Sequence, residues 1–282
     1  MGRVTQRRKM LRVSERPPVV RTDTLVVEEP LEIRLSGSPL AVTMRTPGDD
    51  FDLAAGFLVS EGVATEREHI TTIRYCLGED EEGRNTYNVL DVLLGEGVTP
   101  PDTSLQRNFY TTSSCGLCGK ASLDAVRTSA RWEVRNDPLQ LSTATVAALP
   151  ERLRDAQQVF ERTGGLHAAG LFTAEGELLC IREDVGRHNA VDKVVGWALQ
   201  QGALPLAGTV LLVSGRASFE LVQKALMAGI PAMAAVSAPS SLAVELAEDA
   251  GLTLVGFLRG SSMNVYAGGH RLGLGEPVPA SA

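Results

Sequence analysis

Apolar and polar residues alternate over residues 24–35, the pattern of a half-buried strand, and Gly37-Ser38-Pro39 then marks a turn. Residues 40–44 continue as a second strand, so the two form a hairpin. Thr46-Pro47-Gly48-Asp49-Asp50 opens a helix over 51–61 whose apolar face carries Leu53, Ala54, Phe57 and Leu58. Two further strands, 70–77 and 85–94, flank a turn rich in Gly, Asp and Glu. The order ββαββ predicts a small α+β roll over residues 22–105, and this roll holds no cluster of catalytic residue types.

Beyond residue 143 the period becomes that of an α/β protein. A helix over 143–162 ends at Gly164-Gly165. Strands over 167–172 and 178–181 turn at Glu175-Gly176, and helices over 186–201, 218–228 and 240–250 alternate with strands over 209–213, 232–236 and 252–258. Alternation of this kind predicts a sheet covered by helices on both faces, a three-layer αβα domain over 141–282. Residues 106–140 read as a connector entered through Pro100-Pro101-Asp102.

Size and charge sharpen this reading. A chain of 282 residues favours two domains, and 44% apolar residues suffice for a sizeable core. Residues 1–21 hold seven Arg/Lys and one acid, a net of +6 against −7 for the whole chain, which leaves −13 on the rest. The stretch 1–21 reads as a basic disordered arm, while the acidic remainder argues against a nucleic-acid-binding body. No apolar run approaches the roughly 18 residues that cross a bilayer, and no secretory h-region opens the chain. Four cysteines in so long a chain are no disulfide scaffold, so a reducing, cytoplasmic setting is expected. Cys76 and Cys180, in strand-like contexts, read as buried small hydrophobes.

The sharpest chemical feature is Cys115-Gly116-Leu117-Cys118. Thiolates are favoured at helix N-termini and beside cations, and here Lys120 is adjacent and a helix-like stretch follows Gly119. Gly116 and Gly119 strip side chains from around both sulfurs. Such a pair serves a zinc site, a thioredoxin-like redox site or a persulfide carrier. Zinc needs four ligands and no second pair of ligands is spaced to complete them; the strand-to-helix setting of thioredoxin is missing; a persulfide carrier asks only for an exposed nucleophilic cysteine.

A second feature is a set of four loops at predicted strand ends: residues 182–189, 214–218, 237–241 and 259–262. Each combines small residues with hydroxyls or arginine, as a phosphate-bearing ligand requires. Singly, such loops are ordinary helix caps; four in one domain point to a ligand site. None is a Walker A or Gly-x-Gly-x-x-Gly fingerprint. His188 is a candidate ligand or base, with a hydrogen-bonded helix-start histidine as the alternative, and His167 is a strand residue near it. Glu183 and Asp184, between Arg182 and Arg187, are expected to form ion pairs that shape their loop.

Residues 112–122, 182–193, 214–220 and 237–243 together closely resemble the formate dehydrogenase accessory sulfurtransferase family, over about residues 34–266. The resemblance implies that sulfur from a cysteine desulfurase is carried as a persulfide, Cys115 bearing it and Cys118 assisting. The recipient would be the bis(molybdopterin guanine dinucleotide) molybdenum cofactor destined for formate dehydrogenase, and the protein would be a homodimer. The cofactor-binding stretch falls on Phe257, Leu258, Arg259, Gly260, Ser261 and Ser262, with Arg187, His188, Ser214, Gly215 and Arg216 as further candidates for the GDP-like moiety. The second domain also resembles the cytidine deaminase fold in element order. Deaminases hold zinc with a His or Cys at a helix start and a later Pro-Cys-x-x-Cys. His188 lies near the first position, but residues 214–218 bring no thiol to the second, so no zinc is expected. A cofactor chaperone without catalysis and a thiol-disulfide oxidoreductase are the alternatives.

Overall fold

The computed structural model describes residues 4–76, 78, 86–100 and 130–275. It opens on an antiparallel hairpin, β1 (Thr5–Arg12) with β2 (Val19–Val26), paired without a shift from Thr5↔Val26 to Arg12↔Val19. This corrects the expectation of a disordered arm. Alternating β-branched residues in β2 suit a ladder, and Ser14-Glu15-Arg16-Pro17-Pro18 supplies the reversal, so local pairing prevails over charge repulsion.

The single strand expected over 24–35 is divided between β2 and β3 (Glu29–Leu35), which pairs with β4 (Ser38–Arg45). Helix α1 (Asp50–Ser60) follows, then β5 (Ile70–Tyr75) and β6 (Val89–Leu94). The four strands lie in the order β4-β3-β6-β5, with β3 and β6 parallel, so the ββαββ roll is present.

Where one helix is expected over 143–162 there are two, α2 (Thr143–Ala156) and α3 (Gln158–Thr163), parted at Gln157. Then come β7 (His167–Phe172), β8 (Leu178–Asp184), α4 (Arg187–Gln200), β9 (Val210–Val213), α5 (Phe219–Met227), β10 (Ala232–Ala235), α6 (Ser241–Ala250), β11 (Thr253–Arg259) and β12 (Ser262–Ala267). Their sheet runs β12-β11-β10-β9-β7-β8. Pattern reading misses β12, an edge strand folded back on β11 by Gly260, whose φ of +55° suits a residue without Cβ.

Both faces of this sheet are buried, as three layers require. Along β9, Leu211 and Val213 join the core shared with α4, α5 and α6, while Val210 and Leu212 join Val146, Leu149 and Leu153 of α2 on the other face. The first core continues through α1 into Leu31, Ile33, Leu90 and Val92 of the four-stranded sheet. The two sheets thus share one core instead of forming two separately packed bodies. Their junction is the crossing of α1 and α4, where Gly56 and Gly196 let the helix backbones touch.

Candidate functional site

Strand direction brings the four predicted loops to one edge. β9, β10 and β11 are parallel, and β7 and β8 alternate in direction beside them, so the start of β7 and the ends of β8, β9, β10 and β11 coincide. Beyond the strands the backbones stay linked. Ser214 N–H donates to Ala168 O (3.0 Å), Ser237 N–H to Gly215 O (3.2 Å) and Phe257 N–H to Ser237 O (3.1 Å). These bonds form a continuous floor from His167 to Phe257, the position where open α/β sheets bind ligands.

At one end of the floor stand two histidines. His188, in the first turn of α4, places Nε2 3.3 Å from Ser218 Oγ and 3.9 Å from Glu220 Oε2. Burial, reinforced by Lys224 and Arg187, depresses His188 to about 4, with Glu220 acting in the opposite sense, so the imidazole is neutral near pH 7. His167 is lowered too, by burial and then by Arg187, against Asp184. Gly215 passes close by: a Cβ there would lie 3.4 Å from His167 Nδ1. Arg187 Nε is buried and has no hydrogen-bond partner among the described residues. An orphaned guanidinium nitrogen beside neutral imidazoles fits an anionic group such as a phosphate.

At the other end, residues 257–262 form the tip of the β11–β12 hairpin. Phe257 is 41% exposed and has φ +51°, a rare conformation for an aromatic residue, at the irregularity between Gly256 and Arg259. Arg259, Gly260, Ser261 and Ser262 are exposed around it, as is Arg216 on its own loop. Leu258 differs from the sequence expectation: it is 1% exposed and packs in the core beneath α2, so its side chain is no part of a ligand surface. The Ser214 hydroxyl is also occupied, accepting Ala168 N–H at 2.9 Å. Cys115 and Cys118 lie outside the described residues.

The acids flanked by arginine in sequence do not pair with them. Asp184, fully buried, meets Lys193 Nζ at 2.7 Å and accepts from the N–H groups of Thr46 and Gly186 and from Asn189 Nδ2. Glu183 accepts Val159 N–H and Phe160 N–H, capping the start of α3. Arg182 instead reaches Asp52 of α1 at 2.7 Å. Lys193 also donates to Thr46 O (3.0 Å), and Val185 N–H donates to Thr46 Oγ1 (3.2 Å). The strand-to-helix junction that carries Arg187 and His188 is therefore pinned to the loop before α1. Cys180 is buried, which pushes its thiol up to about 12 and leaves it inert, whereas Cys76 is only half-buried. Sequence reasoning places Ser218 in a ligand loop without linking it to His188 and gives Glu220 no role; a separation of 30 residues leaves no local signal of the His188–Ser218 contact.

The FdhD/NarQ family model matches residues 26–273. The chain belongs to the FdhD/NarQ family. It is 70% identical over 275 residues to the sulfur carrier protein FdhD of Streptomyces avermitilis, covering 97% of this chain and 98% of that protein. The FdhD of Streptomyces coelicolor is 67% identical over 279 residues, 99% of each chain, and that of Mycobacterium tuberculosis 58% over 275 residues, 96% of this chain and all of the other. In fold, the chain is similar to a solved formate dehydrogenase accessory protein from Desulfotalea psychrophila, with a TM-score of 0.73 at 23% identity, over 96% of this chain and 100% of that one. FdhD/NarQ membership bears out the resemblance carried by the motifs. No helix of this family member is long and apolar enough to cross a membrane, among the described residues.

Proposed function

We propose that this protein is a sulfurtransferase: it takes persulfide sulfur from a cysteine desulfurase and delivers it to the bis(molybdopterin guanine dinucleotide) molybdenum cofactor of formate dehydrogenase. The observation that carries the reading is the sheet edge, where Arg187 Nε, without a hydrogen-bond partner among the described residues, two depressed histidines and exposed Arg216 and Arg259 stand along the linked strand ends. Such an edge suits a large phosphorylated ligand. The names of the relatives, sulfur carrier proteins, support the other half.

In the first step the Cys115 thiolate attacks the terminal sulfur of the donor's persulfide, forming a new S–S bond on Cys115 and releasing the donor thiolate. In the second, the Cys118 thiolate attacks the Cys115 sulfur, closing a disulfide and releasing the terminal sulfur as sulfide. The two thiols supply both electrons that reduce it, and an external thiol restores the dithiol. The recipient is substrate, held by its phosphates through Arg187, Arg216 and Arg259, with Phe257 as an exposed aromatic surface. Function in the cytoplasm and as a homodimer belongs to this reading, and the likeness to the cytidine deaminase element order is one of scaffold, without deaminase zinc.

The test is incubation with a desulfurase and cysteine, followed by mass measurement of the intact protein. One sulfur atom added to Cys118→Ala, which cannot close the disulfide, and none to Cys115→Ala is expected, with formate dehydrogenase left inactive when matured by Cys115→Ala. Active enzyme matured by Cys115→Ala overturns the role of Cys115.

A further inference from the structure

The hydroxyl of Ser218 is not used as its position suggests. Ser218 is the N-cap residue of α5, where a serine ordinarily accepts a backbone N–H of the first turn, yet it makes no such bond. The N-cap serine of α6, Ser240, does, accepting Ala243 N–H at 3.3 Å. Ser218 Oγ lies instead 3.3 Å from His188 Nε2, with Glu220 Oε2 3.9 Å from the same nitrogen.

The carboxylate beside Nε2 bears on where the imidazole proton sits. A serine hydroxyl has one hydrogen, and an ionised carboxylate only accepts. Burial acts to raise the Glu220 carboxyl, but its own backbone N–H, the Ser218 hydroxyl, His188 and Arg187 outweigh this and hold it below the usual carboxylate range. An ionised carboxylate 3.9 Å from Nε2 favours a proton on that nitrogen, and Ser218 Oγ, 3.3 Å away, then accepts it. The opposite tautomer would turn the Nε2 lone pair toward the Glu220 carboxylate. The imidazole proton is thus on Nε2, and Nδ1, which has no hydrogen-bond partner among the described residues, presents a lone pair.

We propose that Glu220 and Ser218 hold His188 as its Nε2–H tautomer, so that Nδ1 accepts a ring N–H from a base seated at the sheet edge. This rests on the nucleotide reading given above and supplies the acceptor it lacks. Guanine, with its N1–H, satisfies this acceptor, and adenine, whose N1 is itself an acceptor, opposes it. Ser218 and Glu220 are positioning residues acting through His188. Site geometry in the first turn of α4 places the acceptor beside Arg187, so one helix end offers both a cation for phosphate and a neutral acceptor for the base.

The experiment is nitrogen-15 NMR of the full chain labelled at histidine, where the four histidines are assigned with a His188→Gln spectrum. In the free protein, His188 is expected to show a pyrrole-type Nε2 and a pyridine-type Nδ1, and Ser218→Ala to mix the tautomers in a protein that keeps its amide spectrum. GDP is expected to shift the Nδ1 resonance while ADP does not, and Ser218→Ala is expected to weaken GDP binding about two- to tenfold. A proton on Nδ1 in the free wild type overturns the proposal, as does an Nδ1 resonance that ignores bound GDP. Failure of GDP to bind at all removes the nucleotide reading and the base-reading role together; the tautomer in the free protein is measured independently of it.

Discussion

Gly56 of α1 and Gly196 of α4 each lie against the other helix's backbone: a Cβ on Gly56 would stand 1.8 Å from Asp192 O, and one on Gly196 would stand 1.8 Å from Asp52 O. Backbone cannot retreat as a flexible side chain can. Gly56→Ala or Gly196→Ala must therefore part the helices that join the two sheets. We expect a loss of about 1–3 kcal/mol or more, with Tm falling about 2–4 °C per kcal/mol. Thermal unfolding followed by circular dichroism measures this, and an unchanged Tm would refute the contact.

The Asp184–Lys193 pair is buried on both sides, at 0% and 1% side-chain exposure. Removing one partner leaves a charge without compensation, so Asp184→Asn or Lys193→Met should each cost about 3–5 kcal/mol. The double variant should cost clearly less than the sum, because neither charge is then stranded. Urea denaturation of the three variants checks the coupling; strict additivity would show that the pair is not a unit.

Arg259 closes β11 beside the strained Phe257, exposed at the hairpin tip. Arg259→Ala should weaken GDP binding by one charge-assisted hydrogen bond, about 1.5–3 kcal/mol, roughly tenfold to a hundredfold. GDP should bind wild type in preference to ADP. Calorimetric titration with both nucleotides decides it: equal affinities would remove the guanine preference, and an unaffected variant would move the site away from this hairpin.

His188 also makes stability depend on pH. Its unfolded form titrates near 6.5, whereas burial beside Lys224 and Arg187 holds the folded form neutral down to about 4. Between those values the unfolded chain binds the extra proton, so acidification through this window favours unfolding. His188→Gln should lose less stability than wild type between pH 7 and pH 4. Chemical denaturation at both pH values gives the difference directly, and parallel losses in the two proteins would contradict the buried neutral imidazole.

Much of the scaffold was legible in the pattern of residues. Alternation identified β4 and, run together with the end of β2, β3, and helical periodicity identified α4, α5 and α6 within a residue or two, because buried faces impose periods of 2 and 3.6 whatever their partners. The four loops were legible as well, since small residues and hydroxyls at strand ends follow from the backbone geometry there. β1 and β2 were not, because their signal is a cross-strand register in a segment whose composition resembles a solvated tail. β12 was hidden because an edge strand of alternating exposed residues carries little apolar signal.

By itself the sequence determined the family, through ungapped motifs around residues 112–122, 182–193 and 214–220, and the order of elements, through local periodicity. The tertiary structure alone decided which charges meet. Arg182 and Arg187 flank Asp184 in the chain, yet Asp184 pairs with Lys193, about two turns into α4, because β8 and α4 turn both inward against the loop at Thr46. It alone decided that His188 finds Ser218 and Glu220, since α4 and α5 pack on the same sheet face and bring their first turns to one edge. Local spacing constrains which face a side chain takes; the partner across that face depends on which elements pack together, and packing is a property of the whole core.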